Sequence, residues 1–151
     1  YAMLHEAEAY GITHQMAVDM GYQDEWDNAI ESLRAMHKRG VRVLPGGDYG
    51  FAFTPHCQNS RDLEFFVKYL GMTPLEAIRS TAEFGGPVMK QPHDLGLVKA
   101  GYLADLLLVD GDPLANLAIL RDPKRILAVM KDGVFAKAPP VASERRWERA
   151  A

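Results

Sequence analysis

Between residues 1 and 85 this chain carries a single strand signal, the run Val41-Arg-Val-Leu44, and helical segments stand on either side of it. A strand shares its backbone N–H and C=O groups with neighbours along both edges, and helices cannot supply those partners. At 151 residues, 48% of them apolar, the chain is long enough for one ordinary domain. The shortage is therefore of strand partners rather than of core, and the element following residue 44 has to be read with that in mind.

Around the run, the local signals are clear. Trp26, Ile30, Leu33 and His37 recur at helical spacing, Asp24 can cap the first turn and Gly40 can stop the last. His37, on the apolar side, reads as a packed core residue. Residues 1–22, with Gly11 and Gly21 and no sustained period, read as mostly loop with one helical turn. Branched residues favour a strand over 41–44, ended by Pro45 and Gly46. After the loop at 49–58, Asn59 or Ser60 can cap a helix carrying Leu63, Phe66, Val67 and Leu70, with Gly71 behind it. Thr73-Pro-Leu-Glu76 is a capping box with proline at the first helical position, opening a helix that should run to about Phe84. Beyond Gly85-Gly86 the texture changes to short strands and turns. Strands are expected over 103–109 and 126–130, with a turn at 110–113 and a tight Asp132-Gly133 hairpin into Val134-Phe135. The tail from Ala138 reads as a linker or short surface helix.

Charge and cysteine content remove several function classes. Seventeen basic and 20 acidic residues, interspersed, give a net charge of −3 and no broad cationic surface for nucleic acid. Cys57 is the sole cysteine, which excludes an intramolecular disulfide and a cysteine zinc cluster and suits a reducing compartment. The expected location is the cytoplasm, with a leader left open because the chain starts at Tyr1. No run of about 18 apolar residues is present to span a bilayer. The glycine-rich Gly46-Gly-Asp48-Tyr-Gly50 lacks the ending of a phosphate loop and the spacing of a dinucleotide fingerprint. His5, His14, His37 and His93 are dispersed without metal-ligand spacing.

Three residues remain as candidates. Asp48 follows the strand signal at the end where α/β folds place their sites, although from spacing alone a turn aspartate bonding its own backbone is the commoner meaning. His56 lies eight residues on, close enough for one loop to bring it over the strand end. Asn59 is a helix cap by default and a substrate-binding amide by hypothesis. Cys57 has no basic neighbour in sequence to activate it as a nucleophile.

Four ordered motifs resemble one family: the run ending Gly-Gly-Asp48-Tyr-Gly, then Thr54-Pro-His56-Cys-Gln-Asn59-Ser-Arg-Asp-Leu-Glu64, then Gly71-Met-Thr-Pro-Leu-Glu-Ala-Ile78, and Gly101-Tyr-Leu-Ala-Asp-Leu-Leu-Leu-Val-Asp110-Gly-Asp-Pro113. Together with the closing Val129-Met-Lys-Asp-Gly133 they are similar to the C-terminal portion of the metal-dependent amidohydrolase superfamily, in its imidazolonepropionase-like and Xaa-Pro-dipeptidase-like branch. The resemblance covers about residues 25–137. It departs at Cys57, where glycine is more usual, and at Gly47, where threonine is.

The resemblance implies an α/β architecture: the C-terminal part of a (β/α)₈ TIM-like barrel over 1–90, strands of a small composite β domain over 91–137, and a tail over 138–151. Residues 41–44 would be the last barrel strand. Asp48 would lie at the metal, as ligand or neighbour, and act as general acid/base. His56 and Asn59 would line the substrate pocket, and the cofactor would be a divalent ion, zinc above others. The reaction implied is hydrolysis of an amide or cyclic amide C–N bond in a small-molecule or dipeptide-like substrate. The other metal ligands of that superfamily, a His-x-His pair, a bridging lysine or carboxylate and two later histidines, have no counterpart in these residues. A barrel takes about 250 residues, so the expectation is a fragment, inactive alone and prone to self-association, a homo-oligomer included. Two alternatives stay open: a free-standing non-catalytic domain that binds a partner chain, and an enzyme assembled from two polypeptides.

Overall fold

The computed structural model describes residues 1–140, so the tail's Glu144-to-Arg149 segment lies outside the described residues. Helices dominate the first part: α1 (Ala2–His5), α2 (His14–Asp19), α3 (Tyr22–Lys38), α4 (Arg61–Phe65), α5 (Pro74–Thr81) and α6 (Gly85–Val88). Three strands follow, β1 (Leu106–Val109), β2 (Ile126–Lys131) and β3 (Val134–Lys137), in an antiparallel sheet of order β1-β2-β3.

Residues 1–22 hold more helix than their sequence suggests. Thr13 caps α2 by accepting the Met16 N–H, and Leu4, Ala7 and Ala17 are buried. Helices α1 and α2 pack on each other and on α3, contacts that no local periodicity announces. Helix α3 begins at Tyr22, with Gly21 in the left-handed region as its cap, and Asp24 sits in the first turn without capping. None of its side chains is fully buried, His37 included. Its apolar stripe is half covered, resting on the π turn Phe66–Leu70 that continues α4. Neither Asn59 nor Ser60 caps α4 with its side chain. The Ser60 hydroxyl instead donates to the Leu120 carbonyl at 3.1 Å.

The run 41–44 is extended but forms no strand. Among the described residues, no backbone hydrogen bond is made by residues 42–46, on either edge. The partner shortage visible in the sequence is thus the reason for the missing ladder. Val43 nevertheless enters the main core, with Leu63, Phe66, Leu70, Met72, Ala77 and Leu117. Leu117 belongs to a 3₁₀ turn (Leu117–Arg121) from the later part of the chain, which docks on α4 and is held further by the Arg121–Glu64 ion pair at 3.0 Å.

The capping box forms as written: Glu76 N–H donates to Thr73 Oγ1 at 3.2 Å, and Thr73 N–H to Glu76 Oε2 at 2.7 Å. Helix α5 stops at Thr81, short of Phe84, because Phe84 N–H reaches back to Arg79 C=O and Gly85 N–H to Ala82 C=O, bonds that break the helical register. The first sheet strand starts at Leu106 rather than Leu103, whose N–H is taken by the Asp94 carbonyl. The hairpin is as expected, with Asp132 at φ +51 and Gly133 at φ +78, the two positive angles that match strand twist in a two-residue turn.

Candidate active site

Asp48 follows the unpaired extended run and is exposed. Its bond among the described residues goes through the backbone: Thr54 Oγ1 donates to the Asp48 carbonyl at 2.9 Å, leaving the carboxylate out of that contact. Gly50 N–H donates to the Thr54 carbonyl at 2.7 Å, and Thr54 N–H to the Phe51 carbonyl at 3.1 Å, so residues 48–54 close into a tight loop. Tyr10 Oη donates to the Ala52 carbonyl at 2.7 Å and ties the N-terminal segment to the tip of that loop.

Asp48 borders an open cleft of about 530 Å³ whose walls include Tyr22, Trp26, Phe51, Phe53 and Phe65. Tyr49, Arg61 and Asp62 supply its polar side. Tyr49 Oη donates to Asp62 Oδ1 at 2.7 Å, and Gly47 N–H donates to Asp62 Oδ2 at 3.1 Å. Burial, and then the hydrogen bond to the Asp62 carboxylate, push the Tyr49 phenol up to about 12, so it stays a proton donor near neutral pH. Arg61 pairs with Glu6 at 2.7 Å and lies over the Phe65 ring at 5.1 Å. The cleft thus has aromatic walls and a polar lining that includes Asp48.

The three residues singled out from sequence are not gathered at one point. The His56 ring packs against Gly50, where an added Cβ would lie 3.1 Å from Cε1 and Nε2. This puts His56 in the Asp48 loop. Asn59 borders a different cavity, of about 340 Å³, with Gly46, Gly47, Asp62, Leu107 and Leu120. Cys57 is exposed at φ +68, a left-handed angle natural for glycine. Asp62 and Tyr49 were not distinguishable in the sequence. Both lie within the motifs of the resemblance, but what joins them is a side-chain contact across 13 residues that local spacing does not show.

Among the described residues, no three His, Cys, Asp or Glu side chains converge into a set that could hold a metal ion. Zinc takes four donors in structural sites and three protein donors in catalytic ones, so the residues present do not by themselves fit the ion the resemblance implies. No helix among the described residues is long and apolar enough to cross a membrane.

Comparison with known proteins decides the family, because the model for the Amidohydrolase family matches residues 27–136. The chain belongs to the amidohydrolase family. An ochratoxinase of Aspergillus niger is 31% identical over 116 residues, covering 76% of this chain and 23% of that protein. The crystal structure of A. niger ochratoxinase superposes with a TM-score of 0.69 at 29% identity, over 80% of this chain and 27% of that one. A Xaa-Pro dipeptidase with bound methionine in its active site gives 0.68 at 25% identity, over 91% of this chain and 33% of that one. The chain spans about a quarter of the length of the curated relatives it matches. The expected kinship with the amidohydrolases holds.

Proposed function

We propose that the chain is the C-terminal part of a (β/α)₈ amidohydrolase that hydrolyses an amide or cyclic amide C–N bond, with Asp48 as its general acid/base. The observation that carries this reading is the position of Asp48: an exposed carboxylate at the end of an extended run, held by its backbone and facing an aromatic-walled cleft. A carboxylate free of competing bonds can take the proton of a water as its oxygen bonds to the substrate carbonyl carbon. It can then return that proton to the nitrogen as the C–N bond breaks. His56, packed in the same loop, is proposed to contact the substrate, and Asn59 to reach it from the adjoining cavity, which shares Gly47 and Asp62 with the cleft. Small dipeptide-like amides are the proposed substrate class, since one relative is named a Xaa-Pro dipeptidase. A divalent ion, zinc above others, belongs to the reading as a group held mainly by residues outside this chain.

In the full-length protein, assayed on a panel of Xaa-Pro dipeptides, N-benzoyl amino acids and cyclic amides, Asp48→Asn should lower kcat about 10²–10⁴-fold, the range for loss of a general acid/base. The melting temperature should change little, because the Asp48 side chain is exposed. Turnover retained in that variant would end the assignment.

A non-catalytic, partner-binding reading is favoured by one observation, the unpaired backbone of residues 42–46. It predicts that the chain on its own stays folded and monodisperse and takes up a partner without any turnover.

A further inference from the structure

We propose that Asp62 is the positioning residue that fixes Asp48 for proton transfer; the inference rests on the role given above to Asp48. The Asp62 carboxylate accepts Gly47 N–H at 3.1 Å through one oxygen and Tyr49 Oη at 2.7 Å through the other. These are the residues immediately before and after Asp48. One carboxylate thus grips both flanks of the residue whose placement matters.

The grip is needed because the chain leading to it has little support of its own. Residues 42–46 make no backbone hydrogen bond among the described residues. Asp62 itself stands on firm ground in the first turn of α4, beside buried Leu63. Ser60, two residues before it, is bonded to Leu120, and Glu64, two after it, is paired with Arg121. Glycine at 47 is part of the arrangement. The Tyr49 ring folds across that residue so closely that an added Cβ would lie 2.5 Å from its Cε2 atom. A side chain there would push the ring away from Asp62. Reacting groups need placement to a fraction of an ångström, and a displacement of about 1 Å costs on the order of 10²-fold in rate.

The test uses the full-length protein and the panel amide it cleaves fastest, with Asp62→Ala, Asp62→Asn, Tyr49→Phe and Asp48→Asn compared. Asp62→Ala should lower kcat about 10–100-fold, within the range expected for misplaced catalytic groups, with KM nearly unchanged. Asp62→Asn keeps an oxygen for Gly47 N–H and turns its amide N–H toward the Tyr49 oxygen, so it should recover most of the loss. Tyr49→Phe, which removes one of the two ties and leaves Asp62 in place, should lower kcat by a smaller factor. In parallel, hydrogen exchange of a peptide covering residues 45–50 should speed up in Asp62→Ala and not in Asp62→Asn. Unchanged kcat in Asp62→Ala overturns the inference, as does an Asp62→Asn variant as slow as the alanine one, since charge rather than placement would then be at work. If Asp62→Ala does not fold, full kcat in Tyr49→Phe combined with a slow Asp62→Asn overturns it equally. Retained turnover in Asp48→Asn, with loosened exchange in Asp62→Ala, would instead sink the role of Asp48 while leaving the clamp standing.

Discussion

Cys57 holds a left-handed backbone angle, φ +68, in the exposed loop that follows Asp48. A side chain with a Cβ carries about 1–2 kcal/mol of strain at such an angle, while glycine loses about 0.5–1 kcal/mol through its greater freedom when unfolded. The first effect wins, so Cys57→Gly should raise stability by about 0.5–1 kcal/mol, read as a higher urea midpoint with an unchanged slope. A lower midpoint would mean that the thiol makes contacts that offset the strain. At Gly47 the constraint is space, since the Tyr49 ring fills the volume that a side chain would take. Of the proposed site, Asp48 is legible in the sequence as a carboxylate following the 41–44 run, whereas the part proposed for Asp62 rests on Gly47 and Tyr49 folding onto it from 15 and 13 residues away.

Element starts whose instructions are local are legible in the sequence, and the opening of α5 is the best case. Its capping box holds the Glu76 carboxyl below its usual value of 4.5, through the backbone hydrogen bond from Thr73 first and the Thr73 hydroxyl second. Asp105 is likewise held below 3.8, by Lys131 first and then by the Asp132 N–H at the corner of the β2–β3 hairpin. A carboxylate whose pKa is lower folded than unfolded binds fewer protons in the native state, so its stabilisation is present above the unfolded value and lost as pH falls through the folded one. Stability should therefore decline as pH drops below about 4.5, Glu76 responding first and Asp105 next. Glu76→Gln, which keeps the box but cannot ionise, should flatten the upper part of that decline, measured as melting temperature against pH. A profile identical to the parent would show that the box contributes through hydrogen bonding in a charge-independent way. Elements set by distant partners were not legible in this manner. β1 starts three residues later than its pattern suggests because the Asp94 carbonyl claims the Leu103 N–H, and residues 1–22 show one expected helical turn where two helices form, since α1 and α2 pack on each other and on α3.

Across the whole molecule, unpaired backbone and uncovered apolar faces occur together. β1 is an edge of the sheet, yet it reads Leu-Leu-Leu-Val, and Leu107 and Leu108 are 59% and 51% exposed. Because successive side chains in a strand point to opposite faces, an edge apolar on both has the composition of a strand with neighbours all round. On the opposite edge β3 exposes Val134 to 70%. The extended run 42–46 has neither edge paired among the described residues. Each of these is a template for strand addition, and charged residues on an edge are the usual protection against it. The chain by itself should accordingly self-associate, its mass by light scattering rising with concentration above that of the monomer. Leu107→Lys places a charge in the β1 edge and should lower that mass at equal concentration, while leaving the helical signal in circular dichroism unchanged because α1–α6 lie outside the sheet. A wild-type chain that stays monomeric would show that these surfaces are compatible with water as they stand, and would favour the self-sufficient domain over the hydrolase segment. Self-association relieved by one lysine would instead mean that the sheet edges seek neighbours, in line with the proposed place of this chain in a larger hydrolase.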